Sequence, residues 1–202
     1  PDMRMGLNKN NAKDVLNNFD AKTLANIFKL LGEEKEASRI SKNIVKSREN
    51  GLIKTIPDLI KIIKKSKQKK FKKKINLSTQ VFQALRIFVN KEITELIKGL
   101  INASQFLKVG GKVIVVTFHS IEDKIVKFFF KNFSSNKSKT SRYIPENNNK
   151  NILFQSYKNK IIKPDSQEIN KNNPSRSAKL RCAVRSEHNF IYPIDLENKF
   201  NN

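Results

Sequence analysis

The sequence predicts an α/β fold, and three observations carry that prediction. Residues 110–118, GGKVIVVTF, set two glycines before an unbroken apolar and β-branched run. Ahead of them, residues 78–107 repeat apolar side chains at spacings of three and four. Behind them, Ile125, Val126, Phe129 and Phe133 mark the buried face of another helix. Helix, Gly-Gly, strand, helix is the repeating unit of an α/β sheet. A run without polar alternation predicts a strand covered on both faces, as in a parallel sheet.

Residues 12–66 read as helices. Asp20 is the expected N-cap of a helix with Leu24, Ile27, Phe28 and Leu31 inward, and Gly32 stands where a C-cap glycine belongs. A second helix runs from Glu33 to Arg48, with Ala37, Ile40, Ile44 and Val45 on one face, and Gly51 ends it. Thr55 ahead of Ile56-Pro57 starts a third, with Leu59, Ile60 and Ile63 inward. Phe82, Leu85, Val89, Ile93, Leu96 and Leu100 then form the stripe of one amphipathic helix over 78–107, about 40 Å long at 1.5 Å per residue. Residues 134–151, rich in Ser, Asn and Lys, read as a loop. Ile152–Ile162 is a candidate short strand, 172–176 (NNPSR) a turn, and Ala178–Arg185 the final strand.

Composition narrows the function classes. The chain has 202 residues, enough for one domain or one domain with an insertion, and 14 phenylalanines for its core. A formal net charge of +23 calls for an anionic partner, and nucleic acid is the first candidate. Residues 61–74 hold nine lysines in fourteen positions. Such a block is either a phosphate-binding arm, with Lys69, Lys70, Lys72 and Lys73 as the RNA-binding candidates and Phe71 to stack, or a solvated tract. The one cysteine, Cys182, excludes an internal disulfide and fits a reducing, cytoplasmic setting; inside an apolar strand pattern it reads as a buried, inert thiol. Two histidines and one cysteine, far apart, have no metal-site spacing, so no metal is expected. No apolar run approaches the roughly 18 residues of a membrane span, and no signal-peptide pattern opens the chain.

The stretch Thr117–Asp123, TFHSIED, lies at the carboxyl end of the predicted strand, where open α/β sheets bind ligands. Ser120 and Asp123 have capping-box spacing and read as the start of a helix. His119 reads equally as a ligand or base contact and as a structural hydrogen-bonding group. Arg176, Arg181 and Arg185 could grip phosphate; Arg181 and Arg185 fit the exposed positions of an edge strand as well. Arg86 and Asn90, among the apolar residues of the long helix, point to interior bonding or to a pocket.

Five stretches in order, PDMRM (1–5), GEEKEASRISKNIV (32–45), VFQALRIFVNKEI (81–93), GGKVIVVTFHSIEDKIVKFFF (110–130) and NPSRSAKLR (173–181), resemble the bacterial 16S ribosomal RNA N4-cytidine methyltransferases of the RsmH (MraW) type. The resemblance implies the C-terminal part of a class I (Rossmann-like) S-adenosylmethionine-dependent methyltransferase sheet with an inserted helical domain. It places a core loop at 1–11, the helical insertion with its Lys-rich end at 12–75, the C-terminal half of the core at 76–191 and a tail at 192–202. It implies S-adenosylmethionine as methyl donor and a cytidine of small-subunit 16S ribosomal RNA as acceptor. In the family, a glycine-rich donor loop and a ribose-gripping acid precede PDMRM. Here the chain opens on Pro1, and none of its six glycines forms a G-x-G loop. The expectation is therefore an N-terminally truncated member, inactive alone, with its cofactor ligands upstream of Pro1 and none in this chain. Leu77 and Gln80 stand where the family commonly has Pro and Arg, which weakens any phosphate contact there. The resemblance assigns pocket-side catalytic candidates to Asp2, Arg4, Phe118 and His119, and RNA-positioning candidates to Arg86, Asn90 and Arg176. The competing reading is a non-catalytic basic RNA-binding or ribosome-associated protein.

Overall fold

A computed structural model describes residues 1–6, 11–67, 76–135, 152–155, 157–158 and 160–200. Lys69, Lys70, Lys72 and Lys73, with Phe71, fall outside the described residues, as does most of the loop read at 134–151. The chain divides into two compact units, Pro1–Glu92 and Ile93–Asn202.

The first unit is helical: α1 (Ala12–Asn18), α2 (Ala21–Gly32), α3 (Ala37–Glu49), α4 (Ile56–Ser66) and α5 (Thr79–Asn90). Short polar side chains set the starts. Asn11 and Asp14 form a capping box on α1, Asp20 accepts from the Thr23 amide on α2, and Thr55 and Asp58 form a second box on α4. One core holds Leu16, Leu24, Phe28, Ile40, Ile44, Leu59, Ile63 and Leu85, all fully buried. Each such side chain contributes roughly 1.5–3 kcal/mol relative to exposure. Arg48 donates to the carbonyls of Leu16 (3.0 Å) and Phe19 (2.6 Å), satisfying acceptors at the end of α1.

Two expectations for this unit change. Gly32 is the last residue of α2, and Glu33 adopts the left-handed conformation at φ 50°. Glycine is needed at 32 for a different reason: a Cβ there would lie 2.4 Å from the Gln80 carbonyl oxygen. The helix expected over 78–107 is broken. Lys91 turns left-handed at φ 52°, α5 ends at Asn90, and α6 (Glu92–Phe106) follows. The apolar stripe continues through the break because its spacing does not sense one residue's φ. Arg86 meets Glu92 at 2.8 and 3.0 Å across it.

In the second unit come β1 (Lys112–Thr117), α7 (Ser120–Asn132), α8 (Ser166–Lys171), a 3-10 turn (Asn173–Ser177), β2 (Lys179–Val184) and α9 (Ile194–Phe200). β1 and β2 pair antiparallel, from Lys112 opposite Val184 to Thr117 opposite Lys179. The covered, parallel strand expected from the apolar run is thus corrected: among the described residues β1 pairs with β2 alone. The face with Val113, Arg181 and Ala183 is buried, while Ile114 and Val116 are 60% and 49% exposed. α7 supplies the cover through Ile125, Val126 and Phe129, which is why one face only is dry. Among the described residues of 152–162, Phe154 bridges Ser134 and Arg185 and Ile162 bridges Leu180, and neither Phe154 nor Ile162 belongs to a strand. Phe154 meets Phe129 (5.4 Å, 83°) and Phe130 (5.2 Å, 81°) edge-on, each pair adding about 0.5–1.5 kcal/mol beyond area. The stretch expected as a tail carries α9, anchored by buried Leu196 and by Phe200 against Phe128. No helix among the described residues is long and apolar enough to cross a membrane.

Candidate functional site

At the carboxyl end of β1 the chain passes into α7 through Phe118 and His119. The cap is one residue earlier than the sequence suggested. His119, not Ser120, is the N-cap, and its Nδ1 accepts from the Glu122 amide at 3.4 Å. Glu122, not Asp123, returns: its Oε2 accepts from the amides of Phe118 (2.9 Å) and His119 (3.3 Å). An accepting Nδ1 puts the ring proton on Nε2, which lies 3.2 Å from Glu122 Oε1 but out of line for a hydrogen bond. Burial pushes the Glu122 carboxyl up. The His119 ring and the two amides outweigh it and hold the carboxyl below its usual value. His119 is therefore packed in, with a side chain 9% exposed, whereas the Phe118 ring stands out at 55%.

Asp123 leaves the cap for the interior. Its Oδ1 accepts from Arg181 Nε at 2.7 Å and its Oδ2 from Arg181 Nη2 (3.2 Å) and Lys179 Nζ (3.0 Å), while Arg181 Nη1 donates to the Tyr157 hydroxyl at 2.8 Å. Burial raises the Asp123 carboxyl, but the bonds from Arg181 and Lys179 prevail and hold it low. Arg181 is neither exposed nor a phosphate grip, because period-two alternation aims it at the α7 face. Arg185 is buried as well, spread over four carbonyls. Cys182 is half-buried instead of enclosed, since it shares the open face with Ile114.

In the first unit, the opening loop converges on Asn90. Its Oδ1 accepts from the Met5 amide (2.7 Å), and its Nδ2 donates to the carbonyls of Met3 (2.8 Å) and Arg86 (2.9 Å). Met3 is held at φ 64°, a conformation costing a non-glycine residue roughly 1–2 kcal/mol. On either side of it, Arg4 Nε and Nη2 grip Asp2 Oδ1 (2.6 Å) and Oδ2 (2.8 Å). The Arg4 hydrogen bond, larger than the small opposing burial effect, keeps the Asp2 carboxyl below its usual value. Asp2, Arg4 and Asn90 thus share one cluster, with Arg86 on the adjoining turn. In the second unit, Arg176 lies exposed on the 3-10 turn, donating to the Asn173 carbonyl and Oδ1, both at 3.1 Å. Glu122 and Tyr157 were missed. Glu122 was legible as the acid three residues after His119; nothing local marks Tyr157.

Residues 1–186 match the MraW methylase family. The chain belongs to that family. It is 43% identical over 186 residues to the ribosomal RNA small subunit methyltransferase H of Rhizobium meliloti, covering 92% of this chain and 54% of that relative. The protein of the same name from Agrobacterium fabrum is 42% identical over 185 residues, covering 92% and 54%. That of Parvibaculum lavamentivorans is 38% identical over 195 residues, covering 96% and 57%. The chain spans about half the length of the curated relatives it matches. The described residues do not fit the family's implied S-adenosylmethionine. Gly110 and Gly111 precede β1 rather than follow it, and Gly111 is packed on Leu107. The amides at the strand's far end are already held by the Glu122 carboxylate.

Proposed function

We propose that this chain forms the acceptor side of an S-adenosylmethionine-dependent methyltransferase acting on the N4 amino group of a cytidine in small-subunit (16S) ribosomal RNA, in the cytoplasm. The observation that carries this reading is the family match over residues 1–186, whose relatives bear the name ribosomal RNA small subunit methyltransferase H. In it, residues 12–75 are the inserted helical domain and 76–191 the C-terminal half of the core. S-adenosylmethionine would bring the methyl group, held by residues other than those described.

The acceptor chemistry sets demands this chain can meet. The lone pair of a cytosine amino nitrogen is delocalised into the ring, so the group is a weak nucleophile. It needs acceptors on its hydrogens and a fixed orientation. The base must also be unpaired or extruded. Phe118 offers an exposed ring for stacking, on a backbone fixed by the Glu122 carboxylate. His119 beside it holds the start of α7 as its N-cap, with its own Nε2 buried against Glu122. Within the helical unit, Asp2, kept ionised by Arg4, retains lone pairs that can accept a hydrogen bond. No cysteine nucleophile is required, in keeping with the peripheral place of Cys182.

With this chain joined to the remaining part of the Rhizobium meliloti relative, Phe118→Ala should lower kcat/KM by about 5- to 150-fold, the contribution of one stacked base, with the melting temperature unchanged. His119 needs two variants, since His119→Ala also removes a cap of about 0.5–2 kcal/mol. His119→Asn keeps a capping oxygen and should lower turnover at wild-type stability. Wild-type turnover in His119→Asn would leave His119 as a cap alone.

A further inference from the structure

The helical unit carries a basic face that no candidate above includes. Asn43 Nδ2 donates to Ser66 Oγ at 2.8 Å, fixing the seam where α3 meets α4. At 3.6 residues per turn, Arg39, Lys42 and Lys46 lie between about 40° and about 100° to one side of Asn43, and the core residues Ala37, Ile40 and Ile44 lie to the other. On α4, Lys65 and Lys61 lie about 100° and about 140° from Ser66, again away from Leu59 and Ile63. The turn after α3 reverses the chain, so the two rows share one solvent face across the seam. All five cations are exposed. A second bond clamps the end of that face: Lys67 reaches the buried Glu34 ahead of α3. A cavity of about 330 Å³ lined by Lys35, Glu36, Ser38 and Arg39 lies at the same end. Among acids near the face, Glu36 is 3.5 Å from Arg39, while Glu49 and Asp58 sit at the opposite end, Asp58 engaged in its capping box.

We infer that the α3–α4 face is a docking surface for the phosphate backbone of RNA. Five cations on two helices locked to a common core are preorganised, so holding them against phosphates costs less ordering entropy than it would for lysines on an unfolded chain. The face fits a polyphosphate strand better than a membrane. An interfacial helix needs large apolar side chains beside its lysines, and α3 and α4 expose none except Ile56 at the first position of α4. The proposal rests on the function proposed above only for taking the polyanion to be RNA.

The test is binding of this chain to a fluorescein-labelled RNA hairpin, read by anisotropy across a potassium chloride series. The quadruple variant K42Q/K46Q/K61Q/K65Q is compared with K22Q/K29Q/K108Q/K127Q, which removes the same charge from exposed lysines elsewhere. Each phosphate that the protein no longer neutralises flattens the slope of log K against log salt by about 0.7–0.9, so the first variant should flatten it by about 3 and the second by less than about 1. Circular dichroism should be unchanged in both. Equal slopes in the two variants, or no RNA binding by the wild-type chain, overturn the proposal. So does loss of binding to phosphatidylserine vesicles by the first variant with its RNA slope intact. Methyl transfer is not part of the readout, so RNA docking through this face and failure of the methyltransferase reading remain distinguishable.

Discussion

Arg181→Ala is expected to destabilise the second unit by about 3–5 kcal/mol, because it strands the buried Asp123 carboxylate with Lys179 alone. Arg181→Met, which refills the volume, should recover part of the packing and little of the electrostatics. The acid branch of the stability profile gives an independent reading. Asp123 ionises below its ordinary value in the folded chain. The unfolded chain, with a carboxyl near the usual 3.9, therefore takes up the proton first as pH falls. The contribution is complete above about pH 3.9 and fades as pH drops through the lower folded value. In Arg181→Ala that acid-side loss should shrink, and urea denaturation at neutral and acid pH measures both effects. A variant within about 0.5 kcal/mol of wild type would show that the pair is solvated after all.

Arg185→Ala should cost a comparable amount, about 3–5 kcal/mol, for a different reason. The guanidinium donates from Nε to the Ser104 carbonyl (3.1 Å), from Nη1 to Leu153 (3.0 Å) and Ser186 (3.0 Å), and from Nη2 to His188 (2.8 Å). Ser104 lies in the last turn of α6, whose carbonyls lack helical partners and whose dipole end is negative. Removing the cation takes the buried donor from the Ser104 and Ser186 carbonyls and one of two donors from Leu153, which keeps the Ser186 amide. Arg185→Lys keeps the charge but not the planar fork, and should restore less than half of the loss. Full restoration by lysine would reduce the role to charge alone.

The two arginines show where the sequence stops being legible. Their period-two spacing placed both on one face of β2 and could not say which face was dry. The buried face was settled by α7, whose Asp123 lies 58 residues from Arg181 along the chain. Capping signals fared better, being local: Asp20, Thr55 and the start of α7 were all readable, the last with an error of one residue. Lys91 illustrates the opposite case. The apolar stripe runs through the break without a change of phase, so only Asn90, committed to Met3 and Met5 in a distant loop, accompanies the helix end there. Of the candidate site, Phe118 and His119 were legible from strand-end position and family resemblance. Glu122, which holds their amides, stood at capping distance from His119, but the equal spacing of Ser120 and Asp123 offered a competing cap.

The most direct test of the acceptor-side reading joins this chain to the remaining part of the Rhizobium meliloti relative and assays 16S RNA in unmodified small subunits with S-adenosylmethionine, reading the nucleosides by mass spectrometry. N4-methylated cytidine from the joined protein, with no S-adenosylmethionine bound by this chain alone, is the predicted result. Tight binding of S-adenosylmethionine by this chain alone, or RNA binding by a folded joined protein without methyl transfer, would contradict it.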